Sequence, residues 1–324
     1  MRASVLKILA CGVCALAWAA GALAQNLSFK DIERLPAREA DHRVAYGSDP
    51  LQYGELRLPK GRGPHPVVVV VHGGCWFSQY TVSHIRSFAG ALTDAGFATW
   101  AVEYRRVGDA GGGWPGTFRD VARGVDHLRE LAREHSLDLR RVVFVGHSAG
   151  GQLALWLAGR PRLTKSSALY TPRPLRPRGA VSLAGINNLF TFGARCDSAV
   201  SKLLGGPVKS FPERYYEASP TEMLPLGVPQ WLIHGTLDSI VPLEQSTNYR
   251  AIAERKGDRA RLTVLDRAGH FDLIAPTSTA WPAVLEAVRS LAGGAPAGVL
   301  RRTRARARAS EKGRSPLSGR RPQS

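Results

Sequence analysis

At the centre of the chain stands Val142-Val143-Phe144-Val145-Gly146-His147-Ser148-Ala149-Gly150, which leads into a helical pattern from Gln152 to Ala158. The apolar run predicts a strand, and the spacing G-x-S-x-G predicts a sharp turn into a helix with Ser148 at its apex. Side chains at positions 146 and 150 would collide where strand and helix pass, so both positions need glycine. Ser148 would then lie at a helix N-terminus, where backbone N–H groups can meet negative charge. We interpret Ser148 as a nucleophile; the alternative is an ordinary tight turn.

Segments on both sides of this turn alternate between strand and helix patterns. A weak alternation over residues 43–58 predicts an opening antiparallel hairpin, and residues 186–226 read as an insertion. We expect an α/β fold, a doubly wound and mostly parallel sheet with helices on both faces and a small cap insertion. The central strands are predicted at residues 67–71, 98–104, 142–145, 180–184, 229–234 and 262–265.

The beginning of the chain differs in composition from the rest. Residues 1–24 carry Arg2 and Lys7, no acidic residue, an apolar stretch and the small-residue site Ala22-Leu23-Ala24. This pattern is typical of a secretory signal peptide. We expect an exported protein, periplasmic or secreted, that is cleaved near Ala24; an uncleaved membrane anchor is the alternative. The folded domain is predicted over residues 25–292.

The end of the chain, residues 293–324, is a basic tail without a periodic apolar pattern, so we expect it to be disordered. It carries nine Arg or Lys residues and a single Glu, so +8 of the formal net charge of +18 lies here. Because this excess has no interleaved aromatic residues, it does not indicate nucleic-acid binding. Two roles stay open for the tail: weak contact with an anionic surface such as lipid headgroups, or an extension without a partner.

Removal of residues 1–24 would leave two cysteines, Cys75 and Cys196. Cysteines of an exported protein can pair. A bridge would enclose a loop of about 120 residues and contribute roughly 4 to 5 kcal/mol in the chain-entropy model, less any native strain. A disulfide and two buried free thiols both stay open.

A serine nucleophile needs a histidine base that a carboxylate holds in one tautomer. Such residues lie beyond the carboxyl ends of the strands in an α/β sheet. Asp238 and His270 follow the last two predicted strands, and the order Ser148, Asp238, His270 is that of an elbow-type hydrolase. The alternatives are a turn-forming aspartate and a surface histidine. Other candidate acids are Asp266, Asp272 and Glu244.

Backbone donors for an oxyanion are expected in two places. Gly73 and Gly74 let the chain after the strand at 67–71 turn its N–H groups inward, and Ala149 follows the nucleophile. A phosphate loop is disfavoured because G-x-x-x-x-G-K-[ST] is absent. We expect Trp76 to form one wall of the acyl pocket, with core packing as the alternative. Neither a cofactor nor a metal is predicted.

The motifs HGGCW, GHSAGG, HGTLDSIVP and GHFD occur in this order within residues 43–292. Together they resemble the esterase branch of the α/β-hydrolase fold that includes feruloyl/acetyl esterase-like, hormone-sensitive-lipase-like and kynurenine-formamidase-like proteins. The resemblance implies serine-hydrolase chemistry on esters or activated amides. It assigns the triad to Ser148, Asp238 and His270 and the oxyanion donors to the backbone of Gly73, Gly74 and Ala149.

Two positions depart from the hormone-sensitive-lipase-like pattern. His147 stands before the nucleophile where those proteins usually have Asp, and Cys75 stands at the third glycine of the loop. Both differences favour the feruloyl/acetyl esterase-like and formamidase-like group.

The leading expectation is an exported serine hydrolase that cleaves carboxylic esters of small acyl or aryl groups through an acyl-enzyme. An arylformamidase, acting on amides of the N-formylkynurenine type, and a prolyl-oligopeptidase-type exopeptidase are the enzymatic alternatives. A binding module with a decayed triad is disfavoured because suitable residues occupy all three positions. The expected partner is a small-molecule ester, and the oligomeric state stays open.

Overall fold

The structure, a computed structural model, describes residues 26–293. Its strands are β1 His42–Ala45, β2 Tyr53–Arg57, β3 His65–Val71, β4 Ala98–Val102, β5 Leu137–His147, β6 Gly179–Leu183, β7 Gln230–Gly235 and β8 Ala260–Leu265. Its α-helices are α1 Phe29–Arg34, α2 Arg86–Asp94, α3 Gly116–Asp126, α4 Leu128–Glu134, α5 Ala149–Gly159, α6 Leu189–Phe192, α7 Arg195–Leu204, α8 Pro212–Ala218, α9 Glu244–Arg255 and α10 Trp281–Leu291. Short 3-10 helices lie at Val82–Ile85, Arg160–Arg162 and Phe271–Ile274.

The strands form one sheet with the order β1-β2-β4-β3-β5-β6-β7-β8. β2 runs antiparallel to both of its neighbours, and the pairs from β4 to β8 are parallel. The predicted opening hairpin is present, with Val44 opposite Gly54. The mostly parallel, doubly wound fold is therefore confirmed.

The valines of β3 show that the sheet is buried on both faces. Val67, Val69 and Val71 belong to one hydrophobic cluster, which includes residues of α3, α5 and α9. Val68 and Val70 belong to a second cluster, with residues of α2 and α10. Successive side chains of a strand point to opposite faces, so an unbroken valine run suits a strand covered on both sides. Burial of each valine stabilises the fold by about 1.5 to 3 kcal/mol.

The predicted cap insertion lies between β6 and β7 and contains α6, α7 and α8. Near the start of α7, Cys196, Asp197 and Ser198 have positive φ angles of 50°, 52° and 55°. This left-handed stretch interrupts the helix close to the cavity described below. The cap is small, in agreement with the sequence.

Two predicted segments lie outside the described residues: the signal peptide over 1–24, and the basic tail apart from its first residue. The domain predicted over residues 25–292 falls almost wholly within the described part. In that part, no helix combines the length and the apolar character needed to cross a bilayer.

Candidate active site

Ser148 lies between β5 and α5, at the turn that the sequence predicts. Its backbone has φ 57° and ψ −121°, a region that a residue with a side chain enters only under strain. A Cβ atom at Gly146 would lie 1.8 Å from Gly150 O, and one at Gly150 would lie 2.1 Å from Val71 O. Both positions require glycine, and the turn holds Ser148 at the carboxyl edge of the sheet.

His270 and Asp238 meet beyond the ends of β8 and β7. His270 Nδ1 lies 2.7 Å from Asp238 Oδ2, and Asp238 Oδ1 accepts hydrogen bonds from the N–H groups of Ile240 and Val241 at 2.9 Å each. With Nδ1–H donated to the carboxylate, a neutral His270 presents an unprotonated Nε2, the form that a general base needs. Ser148 and His270 line the same cavity. Among the described residues no hydrogen bond joins them, as is common before substrate tightens such contacts.

The surroundings of Asp238 keep its carboxylate ionised. Burial would by itself raise the pKa of Asp238, whose side chain is 1% exposed. The nearby imidazole of His234, whose Nε2 lies 2.9 Å from Val241 O, together with His270 and the N–H of Val241, outweighs burial and holds the pKa of Asp238 well below its usual range. His234 Nε2 lies 3.4 Å from Asp238 Oδ2, and its Nδ1 lies 2.8 Å from Ser246 Oγ. An ionised Asp238 can orient an imidazole and stabilise the imidazolium.

The other candidate acids contact different groups. Asp266 makes an exposed hydrogen bond, and Glu244 is the first residue of α9. Asp272 accepts hydrogen bonds from Gly269 N–H at 2.5 Å and from Leu27 N–H at 3.3 Å. These bonds connect the segment before α1 to the base loop, the segment after β8 that carries His270. In the described part of the chain none of the three is hydrogen-bonded to the histidine ring. The geometry therefore favours Asp238 as the acid of the triad.

The loop after β3 brings backbone rather than side chains to the nucleophile. A Cβ atom at Gly73 would lie 2.9 Å from Ser148 Cβ, and Gly74 has a φ of +100°, which favours glycine. Gly74 and Cys75 line the cavity, whereas Gly73 does not. Within residues 26–293, the N–H groups of Gly74, Cys75 and Ala149 donate no hydrogen bond. The N–H of Gly73 likewise donates no hydrogen bond among these residues, so the donors Gly73, Gly74 and Ala149 stay a prediction, and Cys75 N–H is a further candidate.

Buried charged residues support this loop. His72 follows β3, with Nδ1 2.8 Å from Gly73 O and Nε2 3.0 Å from Glu103 Oε1. Glu103 also lies 2.9 Å from Arg106 Nη1 and accepts a hydrogen bond from Val82 N–H at 2.8 Å. Burial opposes ionisation of Glu103, but His72 and Arg106 lower its pKa. Glu103 was not among the predicted site residues, although a carboxylate inside the predicted strand at 98–104, next to its apolar run, was a usable signal.

A cavity of about 340 Å³ opens at Ser148 and His270. Its walls come from α1, the loop after β3, the cap and the base loop. Phe29 packs edge-on against Tyr80 with the ring centroids 5.2 Å apart. A mostly apolar wall with a few polar groups is typical of a small-molecule site. The aromatic and aliphatic lining residues are Phe29, Phe77, Tyr80, His84, Ile240 and Phe271.

Trp76 does not form the pocket wall that the sequence predicts. Its side chain is fully buried in the core, where Nε1 donates to Gln152 Oε1 at 3.2 Å. Cys75 and Trp76 have positive φ angles of 49° and 58°, so the chain reverses at this point. The reversal leaves Cys75 at the cavity and the indole in the core. Core packing, the alternative reading, is correct for Trp76.

Cys75 and Cys196 form a disulfide across 121 residues, with Cα atoms 6.3 Å apart. This separation lies within the usual range for such bridges. Both residues line the cavity. The bridge therefore joins the cap to the loop after β3, two walls of one site.

The polar groups at the cavity define the available chemistry. Residues 26–293 hold no group of three or more His, Cys, Asp or Glu side chains arranged to bind a metal ion. The groups present are a hydroxyl on a strained turn, an imidazole bound to a buried carboxylate, and backbone N–H donors. Together they can perform nucleophilic acyl transfer.

A sequence profile of the BD-FAE family matches residues 55–252, more than half of the chain. The chain belongs to the BD-FAE family. The matched segment contains Ser148 and Asp238, whereas His270 lies beyond it. Membership in BD-FAE agrees with the esterase resemblance of the four motifs.

Several relatives of this BD-FAE protein are named as esterases or formamidases. Esterase LipC of Mycobacterium tuberculosis is 27% identical over 252 residues, covering 72% of this chain and 60% of LipC. Kynurenine formamidase of Drosophila melanogaster is 23% identical over 266 residues, covering 77% of this chain and 83% of that protein. Kynurenine formamidase avaC of Aspergillus versicolor is 31% identical over 231 residues, covering 58% and 75%. The chain thus spans 60% of the length of LipC, and a smaller share of some other relatives.

Solved structures share the fold of this BD-FAE chain. A truncated carbohydrate esterase from gut microbiota superposes with a TM-score of 0.69 at 18% identity, covering 79% of this chain and 97% of the other. Esterase B from Lactobacillus rhamnosis gives a TM-score of 0.69 at 19% identity, covering 87% and 93%. At these identities the likeness establishes the α/β-hydrolase fold.

Proposed function

We propose that this protein is an exported serine hydrolase that cleaves carboxylic esters of small acyl or aryl groups. The observation that carries the proposal is the hydrogen bond from His270 to Asp238 at a cavity that also contains the strained Ser148. Membership in BD-FAE and the named esterase relatives support the same activity.

In the proposed reaction, His270 Nε2 takes the proton of Ser148 Oγ as this oxygen attacks the ester carbonyl. The carbonyl oxygen becomes an oxyanion that accepts hydrogen bonds from the loop after β3 and from Ala149 N–H, each worth about 3 kcal/mol. The imidazolium of His270 gives its proton to the leaving alcohol, and an acyl group stays on Ser148. His270 then deprotonates a water that attacks the acyl carbon; the bond to Ser148 Oγ breaks, Oγ takes the proton back from His270, and the acid is released. Asp238 stays ionised throughout.

A fluorophosphonate probe tests for the activated serine without knowledge of the substrate. The wild-type protein should be labelled on one residue, and Ser148→Ala should not be labelled. A folded wild-type protein that stays unlabelled would contradict the proposal and favour the binding module.

A second candidate activity is that of an arylformamidase. The observation in its favour is the similarity to kynurenine formamidases from two organisms, one of them matched over 83% of its length. The same serine and histidine would attack a formamide carbonyl in place of an ester carbonyl. Values of kcat/KM for p-nitrophenyl esters of rising chain length, beside the value for N-formylkynurenine, decide between the two activities.

Export is part of the proposal. Its support is the leader-like composition ending in Ala22-Leu23-Ala24 and the disulfide between Cys75 and Cys196, since disulfides persist in oxidising compartments. Mass spectrometry of the protein from its native host should find a chain that begins at Gln25, in the periplasm or the medium. A cytosolic protein that retains Met1 would contradict export.

A further inference from the structure

Two buried histidines form a chain that ends at the backbone of the base. His84 Nε2 lies 3.0 Å from His147 Nδ1, and His147 Nε2 lies 3.0 Å from His270 O. His84 is 2% exposed and His147 is 1% exposed. The rings of Phe29 and Phe271 pack against His84, with centroid separations of 5.4 and 6.0 Å. The chain therefore runs through apolar surroundings, where hydrogen bonds are strong and unpaired polar groups are costly.

The carbonyl oxygen of His270, at the end of the histidine chain, sets the direction of the hydrogen bonds. His270 O can only accept, so His147 Nε2 carries a proton. Both histidines are neutral, because burial and neighbouring histidines hold the pKa values of His84 and His147 well below the usual range. A neutral imidazole has one N–H, so His147 Nδ1 accepts and His84 Nε2 donates to it. His84 Nδ1 is then an unprotonated acceptor, and it has no donor in the described part of the chain.

The histidine chain joins elements that are far apart in sequence. His147 is the last residue of β5 and precedes Ser148. His84 lies in the 3-10 helix Val82–Ile85, whose first N–H donates to Glu103. His270 lies 123 residues beyond His147. The directed hydrogen bonds thus connect the strand of the nucleophile with the loop of the base.

We propose that His84 and His147 are positioning residues, which lock the backbone of His270 beside the nucleophile. The inference rests on the proposed function, in which His270 is the base. Asp238 orients the ring of His270 through Nδ1, whereas the histidine chain holds the peptide from which that ring extends. Both constraints are needed because a displacement of about 1 Å in a reacting group can lower a rate about a hundredfold.

Nitrogen-15 NMR of the full chain, labelled at histidine, tests the direction of the hydrogen bonds without any assay of activity. At neutral pH we expect His84 and His147 to be neutral and protonated at Nε2. Their signals are assigned by their loss in His84→Gln and His147→Gln. A His147 protonated at Nδ1, or a charged His84, would overturn the inference. This measurement keeps its meaning if the protein hydrolyses no ester, so the two proposals can fail separately.

Kinetics of His147→Gln and His147→Leu test the positioning role. The amide nitrogen of Gln can replace Nε2–H and donate to His270 O, whereas Leu has a similar size and no donor. We expect kcat to fall about a hundredfold in the Leu variant, with KM within about twofold, and to recover to within about fivefold of wild type in the Gln variant. Equal kcat values in the two variants would overturn the positioning role.

His127→Gln is the matched control for these variants. His127 joins α3 to α4, and its ring lies 3.0 Å from Glu130 outside the cavity. Its substitution should leave kcat unchanged. If His147→Leu does not fold, His84→Leu and His84→Gln make the same comparison one step earlier in the chain. The Gln variant should keep a higher kcat than the Leu variant, and equal values would again overturn the inference.

Discussion

Ser148 adopts a backbone conformation with positive φ that residues with a side chain rarely enter. This conformation is strained, and it persists because the close packing of the neighbouring glycines and of α5 allows the backbone no other arrangement. Loss of the hydroxyl group should therefore leave the elbow intact. We expect Ser148→Ala to lower turnover of p-nitrophenyl acetate on the order of a million-fold, with an unchanged melting curve. Steady-state kinetics and circular dichroism check this, and more than about a hundredth of the wild-type rate would refute the nucleophile.

Asp238 couples the site to stability in acid. Its pKa is lowered in the folded protein, so the ionised carboxylate stabilises the fold above the unfolded value of about 3.9. This contribution disappears as the pH falls from about 4 through the lower folded pKa. We expect the unfolding free energies of wild type and Asp238→Asn to differ by a constant amount above about pH 5 and to converge in acid. Urea unfolding across this range measures the difference.

Asp266→Asn is the control for that measurement, because among residues 26–293 the side chain of Asp266 makes only an exposed hydrogen bond. Its pH dependence should follow that of the wild-type protein. Parallel curves for wild type and Asp238→Asn throughout the acid range would show that the carboxylate is not held in its ionised form.

The helix α1 forms a wall of the cavity although it precedes the segment that matches BD-FAE. Phe29 is its contribution, and the hydrogen bond from Leu27 N–H to Asp272 anchors the segment to the base loop. Phe29→Ala should enlarge the cavity and raise kcat/KM for p-nitrophenyl octanoate relative to the acetate by about tenfold. Glu33→Ala, an exposed change on the same helix, should leave this ratio unchanged. An unaltered ratio in both variants would show that α1 does not select the substrate.

The disulfide connects α7 with the loop that carries the N–H donors. Cys196→Ser should lower both the melting temperature and kcat, because a freed loop places its donors less accurately than the roughly 0.5 Å that catalysis needs. Thermal unfolding and esterase kinetics are the measurements. Thiol titration of the denatured, unreduced protein tests whether the disulfide between Cys75 and Cys196 is present. Two reactive thiols in a chain that begins at Gln25 would mean that no bridge forms and that the expected loss has no cause.

On the scale of the whole molecule, the residues of the candidate site all lie in 26–293, whereas much of the net charge lies beyond. A chain that ends at Gly293 should keep the full-length kcat on soluble esters, because it retains every residue that lines the cavity in the described part of the chain. Binding to anionic vesicles, measured by co-sedimentation, should weaken if the basic segment contacts such surfaces. Unfolding or inactivation of the shortened chain would show that the removed residues pack on the domain.

The sheet and the elbow could be predicted because their causes act over a few residues. The valine run of β3 has side chains on both faces, and G-x-S-x-G meets its steric limits within one turn. The order of the strands also placed Asp238 and His270 at one edge of the sheet.

The roles of Trp76, Glu103 and His84 depend instead on segments that meet only after folding. Trp76 was assigned to the pocket because it follows the glycine loop, but two consecutive positive φ angles send its indole to Gln152, 76 residues away. His84 reaches His147 across 63 residues. Local sterics and side-chain periodicity therefore determined the framework and the order of the reactive residues. Long-range packing decided which neighbours surround them, because burial and hydrogen-bond partners are properties of the assembled core rather than of any one segment.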